Sequence, residues 1–413
     1  MTDNKHGNSA LPGRRTFIRN ILLGTFSASL ASVMPHTGSQ KPGQRVKKGQ
    51  MFYRRLGRTN LLISEISLGG SPIPEWPILH QAFERGVNYI DSSHSYQNGN
   101  SERQIGRLLK EVGRDKVHVG TKFHLRQKWN EKSIISSVEG SLRRLDTDYL
   151  DVLLIHGAEN AEHLDDERVL SAFETLKKQG KYRFRGLSCH SNHNEIVKKA
   201  VECGLYDVIQ LGYNVFDIQE SDKEVQTYDD YLEACGIRRL ISLAKSKDVG
   251  IIAMKTLKIG GRRQNLDKYR TGTTTLYQAM LKWVLENKDI SAAVIEMLTF
   301  EELEEDLGVI GKPLTEMERR NLFRYVVENS KDYCHMCGRC QRNCPSRIDT
   351  TSILRYLAYY EGYNKTSRAK EAYSRLKPAQ TAFACTDCGE CEKACPYGVS
   401  IRKRIREADG MLG

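Results

Sequence analysis

Between Met51 and Ser330, short apolar runs rich in β-branched residues alternate with longer segments whose apolar residues recur every three or four positions. The short runs predict eight strands, at 65–70, 89–93, 117–122, 149–157, 184–190, 208–214, 250–256 and 292–297. A segment of helical period follows each of them, at 75–86, 101–112, 131–144, 166–178, 192–203, 237–247, 275–286 and 300–309. Eight consecutive strand–helix units predict an α/β fold, a (β/α)8 TIM barrel over residues 51–330.

A doubly wound parallel sheet is the alternative built from the same units. Such a sheet rarely needs eight of them, and its first strand normally leads into a glycine-rich phosphate loop. The residues at the end of the first predicted strand read Leu68-Gly69-Gly70-Ser71, which is not that fingerprint. The barrel is therefore the favoured architecture.

Eight of the eleven cysteines lie near the C-terminus, in two copies of the pattern C-x2-C-x2-C-x3-C-P. This is the bacterial ferredoxin run, in which cysteine thiolates bind a 4Fe–4S cluster. Four disulfides would suit an exported protein, but cysteines so closely spaced and repeated make poor partners for one another. Zinc sites usually combine two separated C-x-x-C pairs. The pattern predicts two 4Fe–4S clusters, with the ligands Cys334, Cys337, Cys340, Cys344, Cys385, Cys388, Cys391 and Cys395.

In ferredoxins with this run, the fourth cysteine of a copy characteristically binds the other cluster. That rule assigns Cys395 to the cluster of the first three cysteines, and Cys344 to the cluster of Cys385, Cys388 and Cys391. Two apolar sets at helical spacing lie between the copies, so residues 331–413 resemble ferredoxin domains with helices inserted between the cluster loops. The other cysteines stand singly and are interpreted as small apolar residues of the core: Cys189, Cys203 and Cys235.

The first residues of the chain predict export. Arg14 and Arg15 are followed by Thr-Phe-Ile, which resembles the twin-arginine pattern, and a mildly apolar stretch runs over residues 18–33. The stretch is short and weak for a membrane span and is typical of a removable signal. We expect a twin-arginine signal peptide over 1–34 and a linker over 35–50, with a basic disordered tail as the alternative. The protein would then be periplasmic, or membrane-associated on the outer side of the inner membrane.

The formal charge of +12 raises the question of nucleic acid. Residues 1–50 hold eight Lys and Arg and one acid, so +7 belongs to the signal and linker and +5 to the rest of the chain. That balance indicates solvated charge rather than a phosphate-binding face, and predicts no nucleic-acid partner. The one basic run, Arg402-Lys403-Arg404-Ile405-Arg406, is interpreted as the end of an amphipathic helix.

In a (β/α)8 barrel, the chemistry lies at the carboxyl ends of the strands. Four side chains fall there: Asp91 ends the second predicted strand, Tyr96 lies in the loop after it, Lys122 ends the third and His156 ends the fourth. Singly, each has an ordinary structural role, such as a buried histidine or a lysine at a strand end. Together, on consecutive strands, they indicate a catalytic group.

The segments NYIDSSHSYQNGNSERQIGRLLK, VHVGTK and DTDYLDVLLIH resemble the aldo/keto reductase family, whose pattern is an aspartate, a tyrosine, a lysine and a histidine in this order. The likeness spans residues 51–309, and with the ferredoxin-like domain the chain resembles the iron–sulfur branch of the family. The resemblance implies reversible hydride transfer between a nicotinamide and a carbonyl or alcohol. Tyr96 would then supply the proton, assisted by Lys122 and Asp91, while His156 would donate a hydrogen bond to the carbonyl.

The resemblance also implies a nicotinamide site, and here the sequence departs from the family. The usual Ser-Asn after the fifth strand is Ser188-Cys189, while Gln210 occupies the position of the amide-binding glutamine. Met254 stands where the family often stacks an aromatic ring on the nicotinamide, which a thioether covers less specifically. Lys255 and the Gly260-Gly261 turn are candidate pyrophosphate contacts, with a plain loop as the alternative.

After the eighth strand, NADPH-preferring members of the family place a lysine and an arginine around the adenosine 2′-phosphate. Here Glu296 stands at the lysine position and Glu302 at the arginine position, and Glu305 and Asp306 fall where the family contacts the adenine. Carboxylates repel a phosphate and accept hydrogen bonds from ribose hydroxyls, so we expect NAD(H) rather than NADP(H). The alternative is a solvated helix face.

The sequence thus predicts an exported oxidoreductase that acts on a small carbonyl or alcohol substrate with a bound nicotinamide. Its clusters would transfer electrons to a redox partner protein or stabilise the fold, and the twin-arginine export machinery would be a second partner. A nicotinamide passes two electrons as hydride and a cluster passes one at a time, so the sequence leaves the two unconnected. The alternatives are an electron-transfer protein without hydride chemistry, and a binding protein whose clusters are structural.

Overall fold

The structure, a computed structural model, describes residues 45–125, 130–158, 160–216, 236–257, 266–362 and 365–413. The predicted twin-arginine signal, Cys235 and the Gly260-Gly261 turn lie outside the described residues. Within these ranges, no helix combines the length and the apolar character needed to span a bilayer.

Three short antiparallel strands precede the barrel: β1 (Arg45–Lys48), β2 (Met51–Arg55) and β3 (Leu62–Ser64). β1 lies inside the segment 35–50 predicted to be a linker. Arg45 anchors the strand because its guanidinium donates to both oxygens of the buried Glu65 carboxylate, at 2.6 and 2.7 Å, and lies 3.7 Å from the centre of the Phe52 ring.

Eight parallel strands form a closed barrel, which confirms the predicted fold class. Each strand pairs with the next along the chain, and the last pairs with the first through Ile295 and Leu68, which closes the ring. Each lies within a few residues of its predicted ends. The strands are β4 (Ile66–Gly69), β5 (Tyr89–Asp91), β6 (His118–Phe123), β7 (Leu150–Ile155), β8 (Tyr182–Cys189), β9 (Val208–Gly212), β10 (Gly250–Met254) and β11 (Ala292–Ile295).

A helix follows each barrel strand and buries its apolar face against the outside of the barrel. All eight match predicted segments: Trp76–Glu84, Asn100–Val112, Glu131–Leu145, Glu167–Lys178, His193–Cys203, Gly236–Ser246, Leu276–Glu286 and Phe300–Leu307. A further helix, Glu316–Asn329, begins at a capping box formed by Thr315 and Glu318 and leads into the C-terminal domain.

Side chains fill the interior of the barrel, so it is a packed core and not a channel. Tyr89, Leu154 and Val208 are fully buried within it. Leu56, in the loop after β2, joins the same cluster at the end where the strands begin, beside Gly250. That end of the barrel is therefore closed by the N-terminal sheet.

The C-terminal domain has its own apolar core, to which Ile353, Leu357 and Ile405 contribute. The two predicted inserted helices are present, and the basic run falls within the last helix, where Arg402 pairs with Glu392. The run therefore makes structural ion pairs. The helices of this domain are Arg339–Arg342, Thr350–Glu361, Thr366–Ser374, Glu390–Lys393 and Ile401–Leu412.

The C-terminal domain covers the carboxyl ends of the barrel strands. Lys365, just before its helix Thr366–Ser374, pairs with Glu296 directly after β11. Lys255, directly after β10, lies with its Nζ 3.4 Å from the Tyr359 hydroxyl. The open end of the barrel is therefore walled by both domains.

Candidate active site

The centre of the site is a buried ion pair between Asp91, at the end of β5, and Lys122 on the neighbouring strand β6. The Lys122 ammonium donates to the two Asp91 carboxylate oxygens at 2.5 and 2.6 Å and to the Ser92 carbonyl at 2.8 Å. Burial lowers the pKa of Lys122, but Asp91 and Tyr96 outweigh that effect and the pKa lies above its ordinary value. Lys122 is therefore a fixed positive charge at neutral pH.

Tyr96 lies beside this charge, with the Lys122 ammonium 5.2 Å from the centre of its ring. It starts a tight turn in which Gln97 and Asn98 have φ of 48° and 54°, the left-handed conformation that is uncommon for residues other than glycine. Burial raises the pKa of the Tyr96 phenol, and the nearby Lys122 offsets part of that rise. The phenol therefore keeps its proton at neutral pH and can donate it to a substrate oxygen.

His156, at the end of β7, packs edge-on against the Tyr96 ring with centroids 5.6 Å apart. Its Nδ1 lies 3.0 Å from the Ser93 hydroxyl, and His124 stacks on it at 4.0 Å. Burial first, then the neighbouring His124 and Lys122, hold the pKa of His156 well below its usual range. The imidazole is therefore neutral. Because the Ser93 hydroxyl occupies Nδ1, Nε2 is the ring nitrogen that remains to hydrogen-bond a ligand.

These side chains open into a cavity of about 410 Å³ at the carboxyl ends of the strands. Its walls include Asp91, Tyr96 and His156, together with residues predicted to bind the cofactor: Gln210, Met254, Lys255, Glu296 and Glu302. The catalytic four and most of the predicted cofactor residues are thus brought together.

Gln210 is the part of this wall that fits a nicotinamide. Its amide nitrogen donates to Asp91 Oδ2 at 3.1 Å and lies 3.8 Å from the Met254 sulfur. Its buried Oε1 has no hydrogen-bond donor in the described part of the chain. A buried acceptor without a donor is costly, and the carboxamide N–H of a nicotinamide is a donor that would satisfy it.

Ser188 and Cys189, in contrast, lie outside the cavity wall and are fully buried. The Ser188 hydroxyl accepts from the Gly157 N–H at 3.0 Å and donates to the Ile155 carbonyl at 3.2 Å. Burial raises the pKa of the Cys189 thiol to about 12. In this geometry Ser188 ties two strand ends together, and a contact between Ser188 and a nicotinamide has no support.

Glu296 and Glu302 reach the cavity, but each already has a partner. Glu296 pairs with Lys365, and the Glu302 carboxylate accepts the Leu298 N–H at 2.7 Å. Burial raises the pKa of Glu296, and Lys365 opposes that rise. The C-terminal domain thus supplies a counter-charge to Glu296.

Glu305 and Asp306 are turned away from the cavity. The Thr275 hydroxyl donates to the Glu305 carboxylate at 2.6 Å, which ties it to the start of the preceding helix. Asp306 is fully buried. Because neither residue lines the cavity, the geometry gives no support to the adenine contact predicted for both. The sequence pattern predicts the helix on which they lie, but it does not fix which face of that helix meets a ligand.

Sequence reasoning missed several residues of the site. His190 ends β8 and lines the cavity, and His124 follows β6 and stacks on His156. The strand-end rule that found Asp91 and Lys122 would also have found these two. Further wall residues come from the C-terminal domain, where no local sequence pattern indicates them, among them Tyr359, Lys365 and Arg368.

The cysteines of the C-terminal domain gather into two groups. Cys344, Cys385, Cys388 and Cys391 line one small cavity. Around Cys340, burial and the neighbouring thiols of Cys334, Cys337 and Cys395 raise the pKa of its thiol well above the ordinary value.

Four thiols around one space fit the donor set of an iron–sulfur cluster, and binding would release their protons. The ten cysteines that the structure describes are free thiols. The four cysteines that line one cavity are those that the ferredoxin pairing rule assigns to one cluster, and the ligation itself stays a prediction.

Comparison with known proteins relates each part of the chain to a family. The aldo/keto reductase family model matches residues 75–271, and a 4Fe-4S dicluster domain model matches residues 333–400. The chain therefore contains a domain of the aldo/keto reductase family, which is a family of oxidoreductases, followed by a 4Fe-4S dicluster domain.

Individual relatives cover the barrel. The aldo-keto reductase AFTS1 of Alternaria alternata is 27% identical over 344 residues, which cover 68% of this chain and 93% of that protein. An aldo-keto reductase from Bacillus halodurans, in its holo form, superposes with a TM-score of 0.54 at 21% identity, over 66% of this chain and 95% of that one. An aldo-keto reductase from Klebsiella pneumoniae in complex with NADPH gives a TM-score of 0.52 at 20% identity, over 66% and 94%. Both structural likenesses concern the fold.

The two cysteine groups generate a test. Anaerobically purified protein should hold about eight irons per chain, four per cluster. Cys395→Ser should damage the cluster of Cys334, Cys337 and Cys340 and leave the other, because the fourth ligand comes from the distant copy. Iron analysis and electron paramagnetic resonance measure this, with Cys203→Ser as the matched control. Zinc without iron in the wild-type protein would contradict the assignment.

Proposed function

We propose that this chain is an exported oxidoreductase that transfers hydride between a bound nicotinamide cofactor and a carbonyl or alcohol substrate. One observation carries the proposal: Tyr96 and neutral His156 flank the buried Lys122–Asp91 pair in one cavity. The unsatisfied Gln210 oxygen in the same wall supports a nicotinamide there. When bound, that cofactor would supply or accept the hydride.

The residues of the chain would manage the proton and the substrate oxygen. In reduction, Tyr96 gives its proton to the carbonyl oxygen, and the Lys122 charge stabilises the phenolate that forms. His156 donates a hydrogen bond from Nε2 to the same oxygen and holds it in place. In oxidation, the phenolate takes the proton of the alcohol. Asp91 keeps Lys122 charged and positioned, so it acts through Lys122.

For the cofactor, we propose NAD(H) in preference to NADP(H). Glu302 brings a carboxylate to the cavity wall at the position predicted to meet the adenosine 2′-hydroxyl or 2′-phosphate, and a carboxylate disfavours a phosphate. Lys365 neutralises Glu296 and so weakens the preference. The proposal therefore depends on Glu302.

For the clusters, we propose electron transfer to a redox partner protein, with a structural role as the alternative. Cys388 is exposed, so the cluster of the second group would lie near the surface. Cys334 and Met336 line a small cavity together with His190 and Lys255 of the barrel, so the first group lies beside the active site. This contact favours a second candidate function, electron transfer between a cluster and a ligand in the barrel.

We also propose export by the twin-arginine route to the periplasm, or to the outer side of the inner membrane. That route carries folded proteins, which suits a chain that must bind clusters and a cofactor before it leaves the cytoplasm. The support is the sequence of residues 1–34.

The first prediction concerns catalysis. Tyr96→Phe keeps the ring and removes the proton donor, so turnover of a carbonyl substrate should fall by about 10²-fold or more. Steady-state kinetics measure it, and Tyr149→Phe, at the opposite end of the barrel, is the matched control. Wild-type turnover in Tyr96→Phe would mean that the four residues have no chemical role here.

The second prediction concerns the cofactor. Titrations should show tighter binding of NADH than of NADPH, and Glu302→Arg should shift the ratio toward NADPH by about tenfold, since it replaces a repelling charge by a phosphate donor. Glu301→Arg, exposed on the same helix, is the control. Tighter NADPH binding by the wild-type protein would falsify the preference.

The third prediction concerns export. Replacing Arg14 and Arg15 together by lysine should leave the protein in the cytoplasm, because the pair is the recognition element. Cell fractionation and immunoblotting measure the distribution, with Arg19→Lys as the control. An unchanged periplasmic fraction would argue against the twin-arginine route.

A further inference from the structure

Arg368 is a cation of the active-site wall that makes no ion pair with a carboxylate among the residues that the structure describes. It lies on the C-terminal helix Thr366–Ser374 and lines the cavity. In the part of the chain that the structure describes, its hydrogen bond goes to the Ser71 hydroxyl, at 2.7 Å, and its guanidinium carbon lies within about 6 Å of the centres of two tyrosine rings. Its exposed guanidinium is therefore left with donors for a ligand.

The other cations of the cavity have partners of their own. Lys122 is held by Asp91, Lys365 by Glu296, and Lys255 lies 3.4 Å from the Tyr359 hydroxyl. Besides Asp91 and Glu296, the described wall contains one more carboxylate, Glu302, which accepts the Leu298 N–H. With Lys122 included, four cations face three carboxylates, Asp91, Glu296 and Glu302, so the site has an excess of one positive charge, and Arg368 is the cation of the C-terminal domain without an ion pair among the described residues.

The pKa of Tyr359 is lowered by the positive field of the same group of cations. Burial raises the pKa of its phenol, but Lys255, Arg355, Arg368 and Lys365 together lower it to about 7. Such a field favours an anion in the cavity.

The position of Arg368 shows which end of the cavity this anion would occupy. Its guanidinium carbon lies 5.7 Å from the centre of the Tyr96 ring and 5.6 Å from that of Tyr359. It therefore stands beside the proton donor. A ligand group bound there would lie close to the reacting carbonyl.

We propose that Arg368 binds an anionic substituent of the substrate, a carboxylate or a phosphate, and so selects acidic carbonyl compounds over neutral ones. This inference rests on the proposed function, because it names the substrate class of the same site. A guanidinium matches both groups through paired N–H donors, which a lysine does not reproduce. The same chemistry has a second source, the phosphates of the cofactor, and the experiment must separate the two.

The turnover experiment uses the full, cluster-loaded chain and two matched pairs of aldehydes: 4-oxobutanoate with butanal, and glyceraldehyde 3-phosphate with glyceraldehyde. For at least one pair, kcat/KM should favour the charged member in the wild type. Arg368→Ala should lower that ratio about 10- to 100-fold, the worth of a charge-assisted hydrogen bond, mainly through KM. Arg368→Lys should restore it in part. Lys370→Ala, exposed on the same helix, should leave it unchanged.

A binding experiment keeps the inference testable without turnover. Calorimetry with butanoate or inorganic phosphate, in the presence of the preferred nicotinamide, should show binding that Arg368→Ala weakens at least tenfold and Lys370→Ala does not. Equal binding in Arg368→Ala and wild type, or no binding of either anion to the wild type, would overturn the inference. Failure of every aldehyde to react, with anion binding intact, would instead count against the proposed function.

Titrations of the nicotinamides decide between the two sources of the anion. If Arg368 serves the substrate, Arg368→Ala should bind NADH and NADPH as the wild type does. A loss for NADPH alone would assign Arg368 to the 2′-phosphate, and an equal loss for both would assign it to the pyrophosphate. Either loss, with an unchanged substrate ratio, would overturn the inference.

Discussion

The buried ion pair between Lys122 and Asp91 is the interaction on which the rest of the site depends. Two charges out of water are costly, and removing one partner of such a pair typically costs about 3–5 kcal/mol because the other charge is left uncompensated. Here the pair is satisfied by two short bonds, by the Ser92 carbonyl and by the Gln210 amide. Its place at the ends of two adjacent parallel strands follows from the closure of the barrel.

The pair modifies the effect that burial has on each neighbouring group. Lys122 offsets part of the rise that burial causes in the pKa of Tyr96, and it helps to keep His156 neutral. The Gln210 amide nitrogen donates a hydrogen bond to Asp91, so its oxygen is left as an acceptor in the cavity wall. Burial and this charge pair together give the proposed proton donor, the neutral imidazole and the unpaired Gln210 acceptor in the same wall.

The fold was largely readable from the sequence because each strand–helix unit carries its own hydrophobic period. The proximity of Asp91, Tyr96, Lys122 and His156 was predictable because the carboxyl ends of barrel strands meet at one end of the barrel, while their catalytic role stays a prediction. Glu305 and Ser188 show the limit: the pattern places each on its element, but the direction of each side chain depends on hydrogen bonds to Thr275 and to the Ile155 carbonyl that no local signal names. The sequence could not predict that Tyr359, Lys365 and Arg368 line the cavity, because they meet the barrel through a contact between the two domains.

The proposed function requires that hydride move between a nicotinamide and a carbonyl in the cavity beside Tyr96. The most direct measurement is mass spectrometry of the alcohol formed from a carbonyl substrate with reduced nicotinamide dinucleotide deuterated at C4. Each C4 stereoisomer of the deuterated cofactor is tested in turn. One isomer should give an alcohol one mass unit heavier, with the deuterium on the former carbonyl carbon. The other isomer should give unlabelled alcohol. Alcohol that carries no deuterium from either isomer, or that takes its carbon-bound hydrogen from solvent, would contradict this requirement.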